Sequence, residues 1–222
     1  MEAKPANRDE SFTKAEQGRR TLPLLDWLLP ATWLLALTAT IGYPYASSSS
    51  HLADDLTRFT VRLALVYYAA AATLMLLLGR DEWPASSGRG RAARWCWTLA
   101  WATYVVHLLM AFGPYHHWSH AAAVEHTQQV SGFGPGIWFS HCFTAIWSAD
   151  VLFWWLRTER YAARPAWIDR LLHGFMAFII FNATVVYEQG PIRWAGVILF
   201  TELAVVWLVR LGMRKVGYSV PG

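Results

Sequence analysis

Two apolar runs on either side of one polar segment decide the fold of this chain. Residues 95–113 read WCWTLAWATYVVHLLMAFG, residues 137–156 read IWFSHCFTAIWSADVLFWWL, and residues 114–136 between them read PYHHWSHAAAVEHTQQVSGFGPG. A run of about 20 apolar residues has the length of a membrane-spanning helix, because the hydrocarbon core of a bilayer is about 30 Å thick. The two runs are therefore predicted to be consecutive antiparallel spans that carry the polar segment on one side of a membrane.

The composition of the whole chain excludes an ordinary soluble domain. Of 222 residues, 55% are hydrophobic and 15% aromatic, which is too apolar for a soluble globular protein. The net charge of +4 does not indicate nucleic-acid binding, because the basic residues are scattered through short loops between apolar runs. We expect the lipid bilayer as a partner, with other membrane subunits as an open alternative, and no nucleic acid.

Four further apolar runs complete the predicted architecture, an all-α integral membrane protein. We predict a six-transmembrane-helix bundle in one domain over residues 22–212, with polar tails at 1–21 and 213–222. The histidine-rich outer loop 114–136 is expected to contain a short outer interfacial helix. The predicted spans lie at about 22–43, 59–79, 95–113, 137–156, 171–187 and 194–212.

The distribution of basic residues predicts the orientation. All but Arg58, Arg62 and Arg193 of the 19 lysines and arginines fall on the side of the two termini. Because cytoplasmic loops carry an excess of Lys and Arg, both termini of this multi-pass protein are predicted to be cytoplasmic. Tryptophans near the span ends are typical of an interfacial aromatic belt: Trp95, Trp97, Trp138, Trp154, Trp155, Trp194 and Trp207.

Histidines are concentrated on the predicted outer side. Only His173 of the eight falls on the inner side. Ionisable side chains near or within a membrane indicate a functional site, so this concentration is where chemistry is expected. The outer histidines are His51, His107, His116, His117, His120, His126 and His141, and the carboxylates on the same side are Asp54, Asp55, Glu125 and Glu188.

Spacing within the polar segment suggests a metal site. The run HHWSHAAAVEHTQQ after Pro114 is a good helix former, and on one helix His120 would share a face with His116 and with His117. Imidazoles at such spacings can point at one ion. Glu125 and His126 lie farther along and could ligate only if the segment bends or packs over a pocket.

The two membrane histidines allow a second kind of site. His107 and His141 lie at similar depth in consecutive antiparallel spans, so they could share a metal ion or be the axial ligands of a b-type haem. Imidazole and carboxylate donors without a cysteine cluster favour copper, iron or zinc. In the alternative reading these histidines are structural and hydrogen-bond Thr103, Tyr104 or Thr144.

The leading functional hypothesis is a metal or haem site on the extracytoplasmic face, serving redox chemistry or metal handling. A proton-coupled carrier or channel is an alternative, with a path through Asp150, Glu202 and Asn182. These polar groups could instead be hydrogen-bonded between helices. A further alternative is a non-catalytic subunit or assembly factor of a larger membrane complex. The sequence does not decide whether the protein is an enzyme.

Overall fold

All the regular secondary structure of the described residues is helical, as predicted. The computed structural model describes residues 8–79, 82–84 and 87–215. A π-helical turn, Ala111–Tyr115, continues α3, and a second one, Asn182–Val186, continues α7. The helices are α1 Arg8–Ala46, α2 Leu52–Leu77, α3 Gly88–Met110, α4 His120–Ser131, α5 Ile137–Leu156, α6 Thr158–Ala162, α7 Ala166–Phe181 and α8 Pro191–Lys215.

Among the described residues, five helices are long and apolar enough to cross a membrane, so the chain is a multi-pass membrane protein by architecture. They correspond to five of the predicted spans: Leu24–Ala46, Leu52–Leu77, Gly88–Tyr115, Ala166–Val186 and Pro191–Met213. Large apolar side chains face outward along them, as bilayer contact requires, for example Leu35 and Ile198. The predicted span at 137–156 coincides with α5, which is not among these five helices.

Several helices extend beyond the apolar runs that predicted them. α2 begins at Leu52 and α3 at Gly88, each seven residues before the predicted span. At the start of α3 the Ser87 side chain accepts a hydrogen bond from the Gly90 amide, which satisfies an otherwise unpaired helix N-terminal group. α1 begins at Arg8, within the predicted polar tail. Hydropathy locates only the apolar part of a helix, whereas capping decides where it begins.

The core combines aromatic side chains of α2, α3, α5 and α6 with aliphatic side chains, to which α7 and α8 also contribute. The rings of Trp97 and Trp147 lie 4.9 Å apart between centroids, and Trp154 stacks on Tyr161 at 4.4 Å. Tyr68 packs against Trp97 and Trp147. The prediction that Trp97 and Trp154 belong to an interfacial belt is therefore wrong, since both are buried. Each buries a large apolar surface between helices, which a position at the interface would leave half exposed.

Consecutive helices run antiparallel and place the loops at two ends of the bundle. The histidine end contains residues 47–51, 111–136 and 187–190, and there His107 of α3 contacts the Thr57 carbonyl of α2. The arginine end contains residues 78–79, 82–84 and 157–165 together with the C-terminal part of α8. At this end Arg210 hydrogen-bonds the Leu78 carbonyl, and Trp83 packs 6.1 Å from Tyr161.

Candidate functional site

The polar segment is interrupted before its helix begins. His117 and Trp118 have positive φ angles of 50° and 59°, a conformation that ends helical geometry. α4 then begins at His120, and the Ser119 side chain accepts a hydrogen bond from the Ala122 amide. The prediction that His116, His117 and His120 share one helix is wrong. Serine is a strong N-cap residue, and its cap competes with continuation from the preceding turn.

The interruption replaces the predicted triad with a pair formed across two helices. His120, at the start of α4, has its Nε2 atom 3.2 Å from Nε2 of His141 on α5. The two rings are nearly parallel, with centroids 5.5 Å apart, and Trp138 packs beside both. His141 is partly buried and His120 is exposed. The structure thus brings together two predicted ligands that lie 21 residues apart.

A second histidine pair lies on the same segment. The His116 and His126 ring centroids are 5.3 Å apart, and the Tyr115 ring contacts both, at 4.8 and 5.3 Å. The turn before α4 folds His116 back beside this helix, so His126 reaches it without a bend in α4. Desolvation lowers the pKa of His116, and the nearby His126 and His117 lower it further when they are charged. These effects favour the neutral imidazole, which is the form that binds metals.

His107 lies apart from both pairs. Its Nδ1 atom donates a hydrogen bond to the Thr57 carbonyl at 3.0 Å, so the Nδ1–H tautomer is present. The structure places His107 and His141 in different contacts. The alternative partners proposed for these histidines are also engaged elsewhere: Tyr104 bonds Thr144, and Thr103 accepts from Trp33.

The geometry of the His120–His141 pair fits a small ion better than a haem. An ion bound to both Nε2 atoms by bonds of about 2.0–2.1 Å would have an N–metal–N angle of roughly 100°. The two axial nitrogens of a haem lie on opposite faces of the porphyrin, in line with the iron, so the distance between them would be roughly 4 Å. Among the described residues there is no group of three His, Cys, Asp or Glu side chains that could hold a metal. An ion at this pair would therefore keep open positions for water or another ligand.

The outer carboxylates Glu125 and Glu188, and Asn182 of the predicted proton path, have contacts of their own. Glu125, on the exposed side of α4, accepts a hydrogen bond from Gln129. Glu188 and Asn182 line a cavity of about 380 Å³ that His126 also borders. The Asn182 side-chain amide donates to the Phe178 carbonyl.

The two carboxylates of the predicted proton path have separate partners. Asp150 Oδ1 accepts from Arg164 Nη1 at 2.6 Å, and its Oδ2 accepts from Trp97 Nε1 at 2.9 Å and from the Tyr161 hydroxyl at 3.1 Å. Glu202 instead accepts from the Thr73 hydroxyl at 2.8 Å. Asp150 and Glu202 therefore share none of these hydrogen-bond partners.

The partner of Asp150 was missed by sequence reasoning. Arg164 follows α6. The charge and the short length of this stretch favour its interpretation as an ordinary basic loop between two spans. In the structure the short α6 turns the chain back, and the Arg164 side chain becomes only 7% exposed beside Asp150, which is 1% exposed. An aspartate within an apolar run was the available signal, because a buried carboxylate needs a partner.

No family model, curated protein or solved structure matches this chain. What the fold itself defines is an all-helical, multi-pass membrane protein with a histidine pair at one end and a buried ion pair toward the other.

Proposed function

We propose that this is a six-span membrane protein that binds a copper, iron or zinc ion on its extracytoplasmic face, through His120 and His141. The observation that carries the proposal is the 3.2 Å approach of two imidazole Nε2 atoms from different helices. Two convergent imidazoles are a common partial ligand set for these metals. A b-type haem is the less favoured form of the same proposal.

The sixth span in this proposal is α5. It has 20 residues, enough to cross the hydrocarbon core, and it lies in sequence between α3 and α7. Large apolar side chains such as Phe139 and Leu152 are exposed along it, where lipid would cover them. With α5 counted, the distribution of basic residues supports a cytoplasmic location for the arginine end and both termini, and an outer location for the histidine end.

Metal handling is the activity that best fits two protein ligands. A structural zinc site is closed by four ligands, whereas a site with fewer keeps positions open for exchange or for a substrate. His120 begins α4 and His141 lies on α5, so an ion held by both would connect the two helices. The pair of His116 and His126, beside α4, could accept a second ion. We therefore propose reversible binding of a metal ion that is passed on or used in redox chemistry.

The test is a metal titration of the detergent-purified protein. Isothermal titration with Zn²⁺ or Cu²⁺ is expected to show binding at His120 and His141, which His120→Ala or His141→Ala weakens at least about tenfold, or 1.4 kcal/mol. His51→Ala is the matched control, because His51 is exposed at the same end but lies before α2. Unchanged affinity and stoichiometry in the His120→Ala/His141→Ala double variant would overturn the assignment.

An optical spectrum of the same sample separates the remaining hypotheses. A Soret band would move the proposal from an ion to haem. Binding of neither would leave the carrier hypothesis, in which Asp150→Asn and Glu202→Gln abolish flux in liposomes, and the subunit hypothesis, in which partner subunits co-purify. Within the described part of the chain, Asp150 and Glu202 have separate hydrogen-bond partners, so the metal proposal is preferred to the carrier.

A further inference from the structure

A cavity of about 380 Å³ lies at the histidine end, where α4 covers the gap between α5 and α7. Its volume is in the range of sites that hold small organic molecules, about 300–1,000 Å³. The π-helical turn Asn182–Val186 contributes to its wall, and π-helical turns within α-helices are frequent at functional sites. The cavity is therefore a candidate ligand site, separate from the His120–His141 pair.

The charge of the wall favours a cation. Glu188 is the one carboxylate among the described residues that line the cavity, and none of these lining residues is a lysine or an arginine. Glu188 takes part in none of the ion pairs found in the described part of the chain. The nearest arginine in sequence, Arg193, is exposed in the first turn of α8 and does not line the cavity.

The hydrogen-bonding groups of the wall favour a ligand that donates. The Asn182 side-chain amide donates to the Phe178 carbonyl, which leaves its carbonyl oxygen as an acceptor. The Thr127 and Ser131 hydroxyls donate to backbone carbonyls within α4, so only their capacity to accept remains. An ionised glutamate accepts only. Three polar groups of the wall can donate as well as accept: His126, Ser140 and Tyr187.

Aromatic residues supply the apolar part of the wall. They come from four places: Phe133 after α4, Phe139 of α5, Phe178 of α7, and Tyr187. The face of an aromatic ring attracts a cation, and its surface also covers an apolar body. The cavity lies at one end of the candidate span Ala166–Val186, which is where a molecule with a charged head and an apolar body would meet it.

We propose that this cavity binds an amphiphilic organic cation, a protonated amine carried on an aromatic or aliphatic body. Glu188 pairs with the ammonium group, the Asn182 carbonyl oxygen accepts one of its N–H groups, and the aromatic residues cover the body. A zwitterionic phospholipid also has an ammonium head, but its phosphate would find no lysine or arginine in this wall. The proposal does not rest on the metal site, because neither His120 nor His141 lines the cavity.

The experiment is an isothermal titration of the full chain in a nonionic detergent that contains a chelator, with protein-free micelles as the blank. The probes share one body and differ in charge: diphenylpropylamine, diphenylpropanol and diphenylpropanoate. At about pH 8 the amine is protonated, whereas free histidine is neutral. The amine is expected to bind saturably and at least about tenfold more tightly than the alcohol, and the carboxylate is expected not to bind.

The variants test the charge and the place separately. Glu188→Gln is expected to weaken binding of the amine at least about tenfold and to leave binding of the alcohol unchanged, because only the charge is removed. Glu125→Gln is the matched control, since Glu125 is exposed at the same end but does not line the cavity, and it should change neither affinity. The His120→Ala/His141→Ala double variant should bind the amine as the wild-type protein does, so failure of the metal site leaves this result intact.

The outcomes separate the free amine from a lipid head. Short-chain phosphatidylcholine that displaces the amine at equal concentration would keep the cation site and reject the free amine as its ligand, whereas no displacement supports the free amine. Equal affinities of the wild-type protein for the amine and the alcohol would overturn the proposal. Equal affinities of the Glu188→Gln and Glu125→Gln variants for the amine would overturn it as well.

Discussion

The buried pair of Asp150 and Arg164 allows a sharp test of what holds the helices together. Their side chains are 1% and 7% exposed, and they join α5 to the chain between α6 and α7. A buried ion pair is expensive to break from one side, because the remaining charge keeps its desolvation cost without its partner. The perturbation is a double-mutant cycle with Asp150→Ala, Arg164→Ala and both together.

The magnitudes follow from the contacts of each partner. Asp150→Ala leaves Trp97 Nε1 and the Tyr161 hydroxyl without their acceptor, while Arg164 keeps Asp169. At about 1–3 kcal/mol for each orphaned donor, we expect a loss near 4 kcal/mol. Arg164→Ala leaves a fully buried carboxylate with only neutral donors, so a loss of about 3–5 kcal/mol is expected.

The double variant should be far more stable than the sum of the single losses predicts. With both charges gone, only the two orphaned donors remain, so the double variant should lose about 4 kcal/mol, which gives a coupling energy of about 3 kcal/mol or more. The free energy of unfolding would be measured in mixed detergent micelles by circular dichroism, with linear extrapolation. Glu159→Ala and Arg160→Ala are exposed neighbours on α6, and each should stay within about 0.5 kcal/mol. A coupling energy below about 0.5 kcal/mol would refute this account.

Three further outcomes are expected. A side chain at position 196 would place Cβ only 2.6 Å from Thr184 Oγ1, so Gly196→Ala should lower the free energy of unfolding by about 1–3 kcal/mol. Gly212→Ala on the same helix meets nothing within 4 Å and should be neutral or slightly stabilising. Equal effects of the two substitutions would contradict the packing. Because the pKa of His116 is lowered below its ordinary value of 6.5, this group stabilises the fold above pH 6.5, and its contribution is lost as the pH falls through the folded-state pKa. His126→Ala should raise the pKa of His116 in an NMR titration. An unchanged or lower pKa would contradict the pairing. Zn²⁺ should raise the unfolding midpoint of the wild-type protein and a chelator should reverse the rise, which follows from binding to the folded state alone; a midpoint indifferent to both would count against the metal site.

The membrane architecture could be predicted from sequence because it depends on long averages. Five of six apolar runs became helices able to span a bilayer, and α5 has the bounds predicted for the remaining one. The candidate site could be predicted only in part. His120 and His141 were both predicted ligands, but each was assigned a different partner, because the spacing rule assumed that the helix continued through His117 and Trp118. Two residues with positive φ changed that register.

The sequence by itself determined the class of the protein and the end of the bundle at which histidines collect. Both follow from solvent partition: apolar runs of sufficient length enter a bilayer, and polar loops remain outside it. Only the tertiary structure decided which side chains pair. His120 of α4 pairs with His141 of α5, and Asp150 of α5 pairs with Arg164, which lies between α6 and α7. The reason is physical. Partition into lipid depends on the summed hydropathy of a segment, whereas a hydrogen bond or a metal ligand pair depends on distances of about 3 Å, which capping and turn geometry set after the helices have packed.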